Sequence, residues 1–215
     1  MRQSTKPAAS STILKADNLS FGYPQLTLFD QWSARFPPGL SLVRGGESKG
    51  KTTLLRLLAG DLRAASGRLE IDGIGLDEQP DEYRRHVFWV DARSDALDQV
   101  SATAWFGSLR KRFAHFDGEQ LGRLIEGFSL ESHIDKPLYM LSTGSKRKVW
   151  LAAAFASRAG VTLLDEPFAA LDKVSIAFAM EMLAEAAGKT DRACVVAAHE
   201  SPGDLPLAMT IDLGD

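Results

Sequence analysis

The stretch that decides the fold is Gly45-Gly46-Glu47-Ser48-Lys49-Gly50-Lys51-Thr52, which fits G-x-x-x-x-G-K-[ST]. Leu40-Ser41-Leu42-Val43 before it suits a short buried strand, and Thr53-Leu54-Leu55-Arg56-Leu57-Leu58-Ala59 after it is a run of helix formers that Gly60 ends. Strand, loop and helix in that order are what a phosphate cradle requires. Glycines let successive backbone N–H groups turn toward phosphate oxygens with no Cβ in the way, and the helix N-terminus adds partial positive charge. The pattern predicts that Lys51 reaches the β- and γ-phosphates. Thr52 would offer its hydroxyl to Mg²⁺, an ion that takes few protein ligands when a nucleotide supplies the rest.

The 215 residues, 45% of them hydrophobic, suffice for one sizeable core, with room for an inserted subdomain. A formal net charge of -3 provides no global basic field, so no nucleic-acid partner is expected. The single cysteine, Cys194, excludes an internal disulfide, and its apolar surroundings in sequence mark a buried structural thiol. No segment approaches the roughly 18 to 20 continuous apolar residues that cross a bilayer, and no signal-peptide core is present. The expectation is a cytoplasmic chain.

Residues 1–12, rich in Ser, Thr, Ala and Lys, read as a disordered tail. Ile13 to Phe21 and Phe29 to Phe36 are strand-like, which predicts a β-rich N-terminal layer, with a turn at Gly22-Tyr23-Pro24 that carries an aromatic ring. Tyr23 is either a stacking platform or ordinary turn packing. Arg68 to Ile71 predicts a strand leading into a hairpin turn at Asp72-Gly73, and Val87 to Val90 a buried strand. Helical spacing over Thr103 to Phe116, Gly118 to Phe128 and Ser145 to Ser157 points to an inserted helical subdomain, about 92–158. Val161 to Leu164 is an apolar strand ending in Asp165-Glu166-Pro167. Acids at the carboxyl end of a buried strand are placed to meet a ligand, and Asp165 could share Mg²⁺ with Thr52. Lys173 to Ala187 reads as a helix, Ala193 to Ala197 as a strand, and Leu207 to Leu213 as an edge strand.

From about Ile13 to Leu213 the chain resembles the nucleotide-binding subunits of ABC transporters, through an ordered set of landmarks. Tyr23 resembles the adenine-stacking aromatic, Gly45 to Thr52 the Walker A loop, and Leu141-Ser142-Thr143-Gly144-Ser145 the signature motif. Asp165 resembles the Walker B acid, Glu166 the catalytic glutamate, Ala170-Leu171-Asp172 the D-loop, and His199 the switch histidine. The resemblance implies a P-loop NTPase core of α/β class with an antiparallel layer and a helical insertion, residues 13–215 forming one ATPase domain. It also implies that two cassettes, identical or not, sandwich ATP and Mg²⁺ between one copy's Walker A loop and the other's signature.

On this basis Glu166 and His199 are the expected catalytic residues. Tyr23, Gly45 to Thr52, Thr53, Ser142, Gly144 and Asp172 are expected at the nucleotide, and Thr52, Asp165 and Asp91 at the metal. Transmembrane permease subunits are the implied partners, with the chain peripheral on the inner face of the cell membrane. Departures are Thr143 and Ser145 within the signature, Glu47 where the loop often has Asn, and Asp91 where a Gln usually follows the strand Val87 to Val90. They leave a degenerate regulatory cassette, or a soluble cassette outside transport, as alternatives. Lys146, Arg147 and Lys148 fall in a first helical turn, where the macrodipole disfavours cations. A γ-phosphate there would relieve the conflict; a solvated basic turn is the other reading. The segment Asp91 to Phe106, with Arg93, Asp95, Asp98, Leu97, Trp105 and Phe106, is the expected docking region for the membrane partner, unless Trp105 and Phe106 pack inside the insertion.

Overall fold

The computed structural model describes residues 13–91, 94–199 and 203–214. The expected tail and Arg93 lie outside the described residues. Alternation of apolar and polar residues produces an antiparallel sheet of β1 (Leu14–Tyr23), β2 (Leu26–Phe36), β4 (Ser66–Ile71) and β5 (Ile74–Gly75), in the order β2-β1-β4-β5. Asp72-Gly73 makes the tight β4–β5 turn, with Ile71 opposite Ile74.

A second sheet is parallel throughout: β6 (Val87–Phe88), β7 (Val161–Asp165), β8 (Ala193–Ala198), β3 (Gly39–Arg44) and β9 (Leu207–Asp212), in the order β6-β7-β8-β3-β9. Because strand side chains alternate faces, β8 delivers Ala193, Val195 and Ala197 to one side and Cys194, Val196 and Ala198 to the other. The first face packs with α1 (Lys51–Leu58) and the antiparallel sheet into one buried cluster that includes Leu54, Leu57 and Phe36. The second face packs with α3 (Ala102–Arg112), α4 (Gly118–Gly127), α5 (Thr143–Ser157) and α6 (Lys173–Ala187). The helices of the insertion therefore share one core with the sheet, since Leu40, Leu42 and Val196 belong to the cluster that holds Trp105, Leu124 and Ala152.

Helix α3 ends at Arg112, short of the expected Phe116, and β2 begins at Leu26 where Phe29 was expected; two further elements also differ. A short helix, α2 (Pro80–Arg85), precedes β6, with Pro80 at its start, Asp81 and Glu82 in its first turn and Arg84 and Arg85 in its last. Tyr83 ties α2 to α1 by donating its hydroxyl to the Leu58 carbonyl at 2.7 Å. The strand expected over Val87 to Val90 stops at Phe88, because only Val87 and Phe88 find partners on β7.

Candidate nucleotide site

The parallel strands β3 and β7 flank β8 and carry the phosphate loop and the two acids to the same rim. A cavity of about 590 Å³ opens there, lined by Tyr23, Leu26 and Leu28 at one end, Glu47 to Thr53 along the loop, and Asp165 and Glu166 opposite. Helix α1 starts at Gly50, which sits at φ 92, and no side chain caps the helix. Only glycine takes that conformation cheaply, and a Cβ would also press on Leu28 and Phe29 at 3.4 Å. Ser48 is held in the left-handed region as well, at φ 61, a conformation that costs a non-glycine residue energy and concentrates at ligand sites.

Lys51 is nearly buried, at 10% side-chain exposure, and donates to the Gly45 carbonyl at 2.7 Å and the Gly46 carbonyl at 2.9 Å. Its Nζ is also 4.0 Å from Glu166 Oε1. Gly45 and Gly46 thus hold the loop from behind, and the Gly46 N–H donates to the Gly214 carbonyl at 2.9 Å. Thr52 donates to Asp165 Oδ2 at 2.7 Å, while Asp165 Oδ1 is buried with no hydrogen-bond partner. A buried carboxylate oxygen with no partner is unfavourable by itself, and a hard cation beside it would satisfy it. Thr52 and Asp165 together offer two hard oxygens, a number that would suit Mg²⁺ with phosphate and water filling its remaining positions. Among the described residues no group of three or more His, Cys, Asp or Glu side chains forms an all-protein cage.

Glu166 follows at φ 44, again left-handed. Burial pushes its carboxyl above the ordinary range, against a lowering by the nearby Lys51. His199 places Nδ1 3.4 Å from the Gly45 carbonyl, the same oxygen that Lys51 uses. Tyr23 is 44% exposed at the cavity's edge, meets Phe21 edge-on at 5.1 Å between centroids, and lies 3.3 Å from Thr53 Oγ1 through its hydroxyl. Leu26 and Leu28 were not expected there. Their signal was the alternation Leu26-Thr27-Leu28 immediately after the aromatic turn, which puts both leucines on one face.

Ser142, Gly144 and Asp172 lie elsewhere, on the N-terminal turns of α5 and α6. Ser142 caps α5 by accepting from the Ser145 N–H at 3.1 Å. Gly144 is packed on the D-loop so closely that a Cβ would fall 2.5 Å from the Ala170 carbonyl. The Asp172 carboxylate is already engaged within the chain: it accepts from the Ser175 N–H and hydroxyl at 2.9 Å and pairs with Lys148 at 2.8 Å. Lys148 and these Ser175 bonds hold its carboxyl well below the usual range.

The basic residues after the signature have partners within the chain. Lys146 pairs with Asp98 at 2.6 Å, and Arg147 donates to the Asp165 carbonyl at 2.9 Å. Asp91, expected at the metal, lines instead a separate groove of about 300 Å³ with Trp89, Asp98 and Lys146, since β6 ends before reaching it. Trp105 and Phe106 are core residues, 7% and 4% exposed, although Trp105 also borders that groove.

A glycine-broken loop entering an uncapped helix, beside an acid-tipped parallel strand, defines a P-loop nucleotide-binding protein. The chain belongs to the ABC transporter family, whose sequence profile matches residues 30–169. It is an ATP-binding, ATP-hydrolysing transporter subunit. It is 31% identical over 195 residues to the cytochrome c biogenesis ATP-binding export protein CcmA of Pseudomonas fluorescens (strain Pf0-1), which covers 87% of this chain and 90% of that relative. The fold matches a solved ATP-binding subunit of an ABC transporter with TM-score 0.76 at 21% identity, over 86% of this chain and 79% of that one. It also matches a dimeric ATP-binding cassette solved in a post-hydrolysis state with ADP and Pi, with TM-score 0.70 at 19% identity, over 87% and 88%. Among the described residues no helix is long and apolar enough to cross a membrane.

Proposed function

We propose that this chain binds Mg-ATP in the 590 Å³ cavity, completes the site with the signature turn of a second cassette, and hydrolyses ATP to drive separate transmembrane permease subunits from the inner face of the membrane. In this reading residues 13–215 act as one ATPase unit, and 92–158 are its inserted helical subdomain. The observation that carries it is the convergence of an uncapped helix start, Lys51, the Thr52–Asp165 pair and Glu166 on a single cavity.

Lys51 exchanges its loop carbonyls for β- and γ-phosphate oxygens, a stronger, charge-assisted partnership. The first amides of α1 receive the phosphates along the helix dipole. Thr52 and Asp165 would hold Mg²⁺, which would neutralise charge that builds on the phosphates. Glu166 accepts a hydrogen bond from the attacking water and aligns it, and burial makes its carboxylate a stronger base than an exposed one. His199, seated on the Gly45 carbonyl, lies where it can approach the terminal phosphate. Tyr23, with Leu26 and Leu28, provides an apolar bed for the adenine.

The Glu166→Gln variant tests this reading. It keeps the shape and removes the base, so it should bind Mg-ATP as the parent does, lose turnover, and elute as an ATP-dependent dimer on size exclusion. Parental turnover would return the water-aligning role to another group.

A further inference from the structure

The peptide group between Asp165 and Glu166 is held at both of its polar atoms. Its N–H, on Glu166, donates to the Ala197 carbonyl at 2.8 Å, and its C=O, on Asp165, accepts from Arg147 Nη1 at 2.9 Å. A peptide is planar, so fixing both ends fixes the orientation of the whole plane, and with it one side of the Glu166 φ rotation. That φ is 44°, in a region that a glutamate leaves unless its surroundings enforce it. Ala197 belongs to the sheet, whereas Arg147 belongs to the second turn of α5, two residues beyond the signature motif.

Arg147 is itself placed with care. Its guanidinium lies 5.4 Å over the Trp150 ring, its Nε is buried without a partner, and burial lowers its pKa. Its neighbours on the same turn are anchored, Lys146 on Asp98 and Lys148 on Asp172. A cation that is partly desolvated, and bonded to one backbone oxygen with no carboxylate in bidentate contact, is an expensive way to fill space.

We infer that Arg147 is a positioning residue for ATP hydrolysis: by clamping the Asp165–Glu166 peptide from the signature helix, it holds Glu166 in the left-handed conformation from which its carboxylate meets the attacking water. This rests on the role proposed for Glu166. Because the clamp starts in the turn that follows the signature, it ties the arrangement of one ATP site to the helix that serves the other.

The test is a kinetic double-mutant cycle on the full chain, with Arg147→Met, Arg147→Lys, Glu166→Gln and the Arg147→Met/Glu166→Gln double variant. Arg147→Met should lower kcat about tenfold or more while KM for ATP and the affinity for Mg-ATP stay within about threefold, the signature of a group acting only in the transition state. Arg147→Lys, which keeps a cationic donor, should recover most of the loss. In the Glu166→Gln background, removing Arg147 should cost nothing further, because both changes act through one carboxylate. Parental kcat in Arg147→Met overturns the inference, as does KM rising in step with the loss of kcat, or a loss that multiplies with that of Glu166→Gln. Should Arg147→Met not fold, Arg147→Gln enters the same cycle under the same criteria. Parental turnover in Glu166→Gln would instead refute the role of Glu166, so the two failures are distinguishable.

Discussion

Helix α1 begins at Gly50 with no side chain accepting from its first amides, whereas α5 begins at Ser142, whose hydroxyl takes the Ser145 N–H at 3.1 Å. Helix α1 opens on a cation, Lys51, and α5 carries three, Lys146 to Lys148, across the end of its first turn and into its second, and the two helices partner these charges differently. In α1, Lys51 turns back onto two loop carbonyls and leaves the helix amides facing a cavity. In α5, Lys146, Arg147 and Lys148 are each bound to an acid or a carbonyl within the chain. Helices α3, α4 and α6 are capped as α5 is, by Ser101, Asp117 and Asp172. A helix start without a side-chain cap leaves donors open; α2 shares that feature, but the open start of α1 lines the 590 Å³ cavity, whereas the start of α5 is closed within the chain by Ser142.

The comparison can be broken most severely at Glu166, where Glu166→Gln should reduce kcat by about 10² to 10⁴, the usual contribution of a general base, as single-turnover hydrolysis would measure. Lys51→Ala should follow, removing Mg-ATP affinity by about 2 to 5 kcal/mol, the usual cost of truncating one member of a buried charge pair. Circular dichroism should show the fold retained, since the cluster around Leu54 and Leu57 is built from hydrophobic side chains that the substitution leaves in place. Tyr23→Ala should weaken binding by at most about 1 to 3 kcal/mol, the range for a base stacked on an aromatic ring, and leave the chemical step unchanged in the same assay. Smallest is Ser142→Ala: loss of an N-cap lowers stability by about 1 kcal/mol, read as a modest drop in thermal midpoint, with nucleotide affinity of the isolated chain unaffected.

Much of this was legible before any coordinates. The phosphate loop and the acid-tipped strand announce themselves because their chemistry needs particular residues at fixed short spacing, and α6 spans Lys173–Ala187 as the helical pattern predicts. Long-range partnerships were not legible. Nothing local in Lys146-Arg147-Lys148 reveals that Asp98, the Asp165 carbonyl and Asp172 complete that turn, so a waiting phosphate was a reasonable expectation. Asp91 illustrates a boundary error: extending the strand from Phe88 to Val90 carries the next residue to the rim, and the actual strand is too short to deliver it there. Helix α2 was overlooked although Gln79-Pro80-Asp81-Glu82 is a start signal, because six residues are too few to show a helical period. Trp105 and Phe106 turned inward and join the cluster that covers the sheet face, a choice between core and surface that local sequence does not reveal.

The most direct test is equilibrium binding of Mg-ATP to the isolated chain at concentrations where it is monomeric, with Lys51→Ala and Ser142→Ala measured side by side. The two helix starts predict opposite results: Lys51→Ala loses about 2 to 5 kcal/mol of affinity, and Ser142→Ala binds as the parent does while losing ATP-dependent dimer formation. Parental affinity in Lys51→Ala, or loss of monomer binding in Ser142→Ala, would contradict the assignment of the phosphate site to the uncapped start of α1.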